Sequence, residues 1–385
     1  MEEAFILACV RSPMTKAGKG GLASLRIDDV GAHVIRGLLQ KIPQFDSSFL
    51  EDVIVGCAMP EGEQGLNVAR NIALLASLPV SAGAVTINRY CASSLEAINQ
   101  AAQAVMCGNG ELFIAGGIES MSHVPMGGFN PSLNELLMRE GKVDAYISMG
   151  LTAENVASTF SITREEQDHF ALMSHMKAVT ARERGHFQAE IIPIEVVGSD
   201  GSAKMLSNDE CPRPDTSLEI LAKLEPAFLK GGTVTAGNSS PLTDGAAFAV
   251  LASRRAVKRM GIKPIACVRA MAIAGVAPEM MGIGPVEAVP KALARAKMKL
   301  KNIDLIELNE AFAAQSIAVM RKLDFDEKKV NIHGGAIALG HPLGMSGTRI
   351  VTTLIHALRE KKLSVGLATM CIGGGQGAAT VLEMV

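Results

Sequence analysis

Cys91, His341 and Cys371 are side chains of types that do covalent or proton-transfer chemistry, and each sits where the chain changes direction. Cys91 lies in Asn88-Arg89-Tyr90-Cys91-Ala92-Ser93-Ser94-Leu95. The β-branched run Ala84-Val85-Thr86-Ile87 precedes it, and Leu95, Ile98, Ala102 and Val105 follow at helical spacing until Gly108. A thiol at a strand-to-helix turn faces unpaired backbone N–H groups and the positive end of the helix dipole. Both favour the thiolate, which is the nucleophilic form. A buried structural cysteine is the competing reading, and position alone leaves the two open.

Four further segments carry candidate chemistry. Asn309-Glu310-Ala311-Phe312 follows a strand. The stretch from Asn331 to Gly344 is punctuated by glycine, contains His333 and His341, and leads into a helix. Cys371-Ile372-Gly373-Gly374-Gly375-Gln376-Gly377 ends a strand, and Gly232 to Ser240 closes a less regular region. Taken singly, a loop histidine is more often a hydrogen-bonded or surface residue, and glycine runs are usually turns. Gly373 to Ala378 satisfies the G-x-G-x-x-A dinucleotide pattern, but seven residues after Ala378 are too few for the helix, strand and ribose-binding acid. The same glycines permit close backbone approach to a substrate and can aim N–H groups at an oxyanion.

The elements that must position these groups alternate. Strands are expected at 4–10, 53–56, 84–87 and 112–117, with helices from Val30 and from Asn67 to Leu75 between them. That order argues for an α/β fold with helices covering a sheet. From Glu119 to Gly237 periodicity weakens, although Thr163-Arg164-Glu165-Glu166 forms a capping box opening a long helix toward Arg184. The first pattern then returns, with strands at 246–252, 264–274, 304–308 and 366–370 and helices at 289–296 and 346–358. Strand, glycine-rich turn, long helix, strand, glycines occurs at 84–117 and again at 330–375, which reads as a degenerate internal duplication with a ligand crevice at the junction. The expected divisions are an N-terminal half at 1–118, continued at about 243–266, an inserted loop domain at 119–242, and a C-terminal half at 267–385.

Composition excludes several classes. The chain has 385 residues and a formal net charge of −2, so no polyelectrolyte partner is implied. Absent Trp and two Tyr leave few stacking platforms for nucleic acid bases. Seven cysteines, an odd count without CxxC or Cys/His ligand spacing, indicate neither a disulfide framework nor a zinc site. No apolar run approaches a membrane span, and the acidic N-terminus lacks a secretory or transit pattern. A soluble, cytoplasmic protein is expected.

Together, NRYCASS, NEAF, GGAIALGHPLG and CIGGGQG, in that order, resemble the thiolase family from end to end. Met281 to Ala288 and Asn309 to Gln315 look most like the degradative 3-ketoacyl-CoA thiolases. The resemblance implies two βαβαβαββ halves in a five-layer αβαβα sandwich, with a loop domain inserted in the first half. It implies an acyltransferase that cleaves 3-ketoacyl-CoA with CoA to acetyl-CoA and a shortened acyl-CoA, as in fatty-acid β-oxidation. By motif, Cys91 would accept the acyl group, His341 would activate it, and Cys371 would be the acid/base. His341 with a water held by Asn309 would bind the enolate oxygen, and the N–H groups of Cys91 and Gly373 the tetrahedral oxyanion. Arg213 matches a CoA-phosphate residue, and Met149, Phe228, Ala236 and Ser240 match a pantetheine channel; the bland readings are a solvent-facing Arg and core packing. No metal or bound cofactor is implied, CoA being a substrate. A homodimer or homotetramer is implied, and association with other β-oxidation enzymes is carried as an expectation beside it.

Two positions depart from the family pattern. Ser94 stands where many members have Gly, and His333 where many degradative members have Asn and some acetoacetyl-CoA-specific ones have His. The alternatives carried forward are an acetyl-CoA acetyltransferase confined to acetoacetyl-CoA, a carrier-protein-dependent condensing enzyme, a redox sensor using Cys91 and Cys371, and an inactive acyl-CoA-binding scaffold. Cys371, where the condensing enzymes have His, speaks against the second of these.

Overall fold

The computed structural model describes residues 2–138, 143–197 and 201–385. The chain opens with β1 (Ala4–Arg11), β2 (Thr15–Lys16), α1 (Ile27–Gln40), β3 (Asp52–Gly56), α2 (Val68–Leu75), β4 (Gly83–Ile87), α3 (Ser93–Met106) and β5 (Leu112–Ser120). Next come α4 (Met149–Thr159), α5 (Arg164–Glu183), β6 (Ile194–Val197), β7 (Ala203–Leu206) and α6 (Leu218–Ala222). The sheet resumes with β8 (Thr243–Ser253), followed by α7 (Arg254–Met260), β9 (Ala266–Gly275), α8 (Gly284–Ala296), β10 (Leu305–Leu308) and α9 (Ala313–Leu323). It ends with α10 (Ala336–Leu339), α11 (Ser346–Lys361), β11 (Val365–Ile372) and β12 (Gln376–Met384).

The strands run in the order β10-β11-β12-β9-β1-β8-β5-β3-β4. Each half repeats one pattern: β3 lies parallel to β4 and β5, and β10 lies parallel to β11, while the remaining neighbours are antiparallel. Val330 makes a single parallel bridge to Ile306 at the place β4 holds in the first half. The duplication read at 84–117 and 330–375 is therefore present, with the strand at 330 reduced to one bridge. The two sheets are joined rather than separate, because Ala4, Phe5 and Ile6 pair with Val268, Cys267 and Ala266.

Burial explains the layers. β1, β5 and β8 are covered on both faces, so they read as apolar runs rather than alternating ones. One core lies between the first sheet and α1 and α2, and another between the second sheet and α8. A third core lies between the sheets and is built on α3 and α11. Those two helices are buried nearly all round, so they carry Ala, Ser, Thr and Gly where an amphipathic helix would carry a charged face. A Cβ on Gly347 would lie 2.2 Å from the Leu95 backbone nitrogen, which shows how closely the two helix N-termini approach. Between β5 and β8 no strand of the described residues joins the large sheet; α5 opens with the expected capping box, Thr163 and Glu166 bonding reciprocally.

Candidate active site

The turn that carries Cys91 is locked locally. Asn88 Oδ1 accepts the Tyr90 N–H at 2.7 Å, and Tyr90 takes a positive φ of 44°. Ser93 Oγ accepts the Arg89 N–H at 2.9 Å and donates to the Tyr90 carbonyl at 2.6 Å. Cys91 thus sits in a single 3-10 turn between β4 and α3. The backbone N–H groups of Gly373 and of Cys91 itself lie close enough to its sulfur to favour the thiolate. Those contacts pull the thiol pKa down, but burial outweighs them and pushes it up to about 11. The expectation of a stabilised thiolate is therefore corrected: in the free protein, desolvation wins over the helix terminus, and the thiol is neutral.

Cys371 is the penultimate residue of β11 and is fully buried. Burial pushes its thiol up, and the neighbouring Cys91 pushes it further. The two sulfurs, from different halves, are thus close enough to act on each other's charge. Gly373 belongs to the hairpin between β11 and β12, where Ile372 pairs with Gln376. Gly374 and Gly375 take φ of 77° and 82°, and a Cβ on Gly375 would meet the Val276 carbonyl at 2.4 Å. The glycines are those of a β-turn, and the dinucleotide reading is excluded by the strand that follows.

His341 is buried, and its protonation is fixed by its neighbours. Ser346 Oγ donates to the Pro342 carbonyl at 2.8 Å, so at 2.5 Å from His341 Nδ1 it can only accept. The ring proton is accordingly on Nδ1, and Nε2 keeps its lone pair, toward which Asn309 Nδ2 donates at 3.3 Å. Burial, with the nearby Arg349 charge, holds the imidazole pKa down to about 3. Asn309 Oδ1 is buried with no hydrogen-bond partner among the described residues.

The loop bearing His341 is tied to the Cys91 helix. Ser94 N–H donates to the Gly344 carbonyl at 3.1 Å, and Thr348 N–H donates to Ser94 Oγ at 2.9 Å. The Ser94 departure therefore has a use: its hydroxyl satisfies a first-turn donor of α11. Glu119, which sequence reasoning passed over, braces the same loop. Its carboxylate accepts the N–H groups of Gly344 at 2.7 Å and Ala58 at 2.8 Å, and the Gln64 amide at 3.1 Å. Ser346 was likewise missed. The available signals were an acid near the end of an apolar strand and a hydroxyl five residues past His341.

The residues matched to CoA divide. Met149 packs with Cys371 and Phe312, and Phe228 stands edge-on to Phe312 at 6.0 Å. Pro226 and Thr235 bridge, which brings the Phe228 and Ala236 segments together, and Ser240 N–H donates to the Ala311 carbonyl at 3.0 Å. Met149, Phe228 and Ser240 therefore meet the Ala311–Phe312 segment, with Ala236 next to the bridged Thr235. Arg213 is exposed and precedes α6, its backbone N–H donating to His175 Nδ1 at 3.2 Å. Two cavities of about 710 and 730 Å³ flank α5, and neither touches the sulfurs.

Comparison with known proteins decides the family. Residues 4–255 match the thiolase N-terminal domain and residues 262–384 the thiolase C-terminal domain. The chain belongs to the thiolase family. This thiolase is 48% identical to the 3-ketoacyl-CoA thiolase of Bacillus subtilis, with all of both chains covered. It is also 48% identical to the 3-ketoacyl-CoA thiolase of Marinomonas sp., covering 99% of this chain and 98% of that one. The crystal structure of the Bacillus anthracis acetyl-CoA acetyltransferase superposes with a TM-score of 0.91 at 38% identity, covering 100% of this chain and 99% of the other. The thiolase is an acyltransferase, and among its described residues no helix is long and apolar enough to cross a membrane.

Proposed function

We propose that this thiolase cleaves 3-ketoacyl-CoA by a Cys91 acyl-enzyme, releasing acetyl-CoA and then a shortened acyl-CoA. The observation that carries this reading is the meeting of Cys91, Cys371 and the Gly373 N–H at one buried point. His341 Nε2 takes the Cys91 proton as the sulfur bonds to C3 of the substrate. The tetrahedral oxyanion is held by the N–H groups of Cys91 and Gly373. Its collapse breaks the C2–C3 bond, and the electron pair passes to the acetyl-CoA enolate. His341 and Asn309, with a water, hold the enolate oxygen, while Cys371 S–H protonates its carbon. Cys371 thiolate then takes the proton of incoming CoA, whose sulfur attacks the Cys91 thioester; Cys91 leaves and recovers its proton from His341. The high thiol pKa in the free protein suits this order, since a neutral Cys371 must give a proton before it takes one.

Arg213 serves the CoA phosphates, and Met149, Phe228, Ala236 and Ser240 line the pantetheine path. The β-oxidation direction is supported by identity to proteins named 3-ketoacyl-CoA thiolases. The chain divides into halves at 1–118 with 243–266 and at 267–385, with a loop domain at 119–242. Self-association is supported by the edge position of β4, which among the described residues pairs only with β3. Leu66, Leu74, Leu75, Val80 and Val85 are exposed around it, an apolar patch that a second copy would cover. The testing experiment is CoA-dependent loss of 3-ketoacyl-CoA across chain lengths under reducing conditions. Turnover of substrates longer than four carbons is expected; confinement to acetoacetyl-CoA would establish the acetyltransferase instead.

A further inference from the structure

Away from the sulfurs, His186, His333 and Glu360 bring one ligating atom each to within 4.8 Å of one another. His186 Nδ1 lies 2.8 Å and His333 Nε2 3.1 Å from the same carboxylate oxygen, Glu360 Oε2. We propose that these three side chains form a binding site for a borderline transition-metal dication of the Zn²⁺ type.

The donor set selects the ion. Two imidazoles and one carboxylate suit Zn²⁺, Co²⁺ or Ni²⁺, whereas Mg²⁺ and Ca²⁺ call for oxygen. Bonds of about 2.0–2.2 Å around a tetrahedral ion put neighbouring donor atoms about 3.3 Å apart. The two contacts to Glu360 need to open only by a few tenths of an ångström. The surroundings already fix the ligands. The imidazoles stack at 4.5 Å, Phe187 stands edge-on to His333, and Lys361 Nζ holds the other Glu360 oxygen at 2.8 Å.

Access comes from the cavity of about 730 Å³, whose wall includes both histidines. Lys177, Arg184, Lys328 and Lys329 also line it, although Lys177 and Lys329 are engaged by the carbonyls of Val330 and Ile303. This positive wall disfavours a bare dication and favours one that carries chloride or phosphate as a further ligand. Binding is thus reversible rather than a condition of folding.

The three ligands come from distant parts of the chain: the turn after α5, the loop before α10, and the last turn of α11. No spacing motif links them, which is why sequence inspection finds no metal site. An ion there cross-links the α5 turn to the loop that begins at Asn331 and ends in His341.

The test is titration of the chelator-treated full-length protein with Co²⁺ in chloride buffer, followed by visible absorption and by competition with Zn²⁺. One equivalent is expected, without the sulfur-to-cobalt charge-transfer absorption that binding at Cys91 or Cys371 would give. His333→Asn and His186→Ala are each expected to weaken it by roughly ten-fold or more. His333→Asn keeps a polar side chain of smaller size at that place, so it keeps the test available if His186→Ala fails to fold. Equal binding by His333→Asn and the parent, binding only with thiolate charge transfer, or no binding up to millimolar Co²⁺ would each overturn the proposal.

Discussion

Ser346→Ala tests how His341 is held in its working tautomer. Ser346 gives its own proton to the Pro342 carbonyl, so it serves the imidazole only as an acceptor for Nδ1–H. Alanine leaves that N–H buried and unpaired, at a cost of about 1–3 kcal/mol. The ring escapes the cost by moving its proton to Nε2, where Asn309 Oδ1, without a partner among the described residues, can accept it after an amide rotation. In that form Nε2 cannot take the Cys91 proton. A bias of 1–3 kcal/mol corresponds to roughly 5–150-fold in population, and so in acylation rate. The assay is single-turnover acylation by acyl-CoA beside steady-state thiolysis. Both the acylation rate and kcat are expected to fall by that factor, with KM nearly unchanged because Ser346 is fully buried. Acylation within twofold of the parent protein would refute the tautomer argument.

Two further predictions follow from the same site. The His341 imidazole has its pKa lowered from 6.5 to about 3, chiefly by burial, so between those values the unfolded chain binds the proton and the folded one does not. The stability it contributes is complete above pH 6.5 and is lost as pH falls toward 3, by up to about 1.4 kcal/mol per pH unit. Denaturant unfolding of His341→Asn should accordingly show a shallower acid decline; an unchanged slope would contradict the buried neutral ring. Ser94→Ala removes the shorter of the two hydrogen bonds of the Thr348 N–H, leaving the Met345 carbonyl at 3.1 Å as its acceptor, and should cost about 0.5–1 kcal/mol, the lower part of the range for loss of a helix cap. An unfolding midpoint indistinguishable from the parent's would show that the hydroxyl carries no such bond.

The strands were legible because double burial makes them apolar runs, as at Ala4–Arg11 and Thr243–Ser253. The helix at Ala313–Leu323 was not read, because eight of its residues are buried and its apolar stripe is broken by Gln315 and Ser316. α8 begins five residues before the expected Val289, since Pro285 is tolerated in a first turn while Pro290 sits inside the helix. The sulfurs, His341 and Asn309 were found from motifs. Glu119, Ser346 and the pairing of Ser94 with Thr348 were not, because such contacts depend on which loops meet in space. The charge state of Cys91 was misjudged for a related reason: a helix terminus is visible in sequence, while the depth of burial that outweighs it is not.

The central claim is most directly tested by trapping the acyl group. The protein is mixed with acyl-CoA, quenched in acid, digested and mapped by mass spectrometry, alongside Cys91→Ala and Cys371→Ala. One acyl group on Cys91 is predicted, absent from the Cys91 variant and retained in the Cys371 variant even as C–C cleavage is lost. Acylation at another residue, or label persisting in Cys91→Ala, would contradict the account.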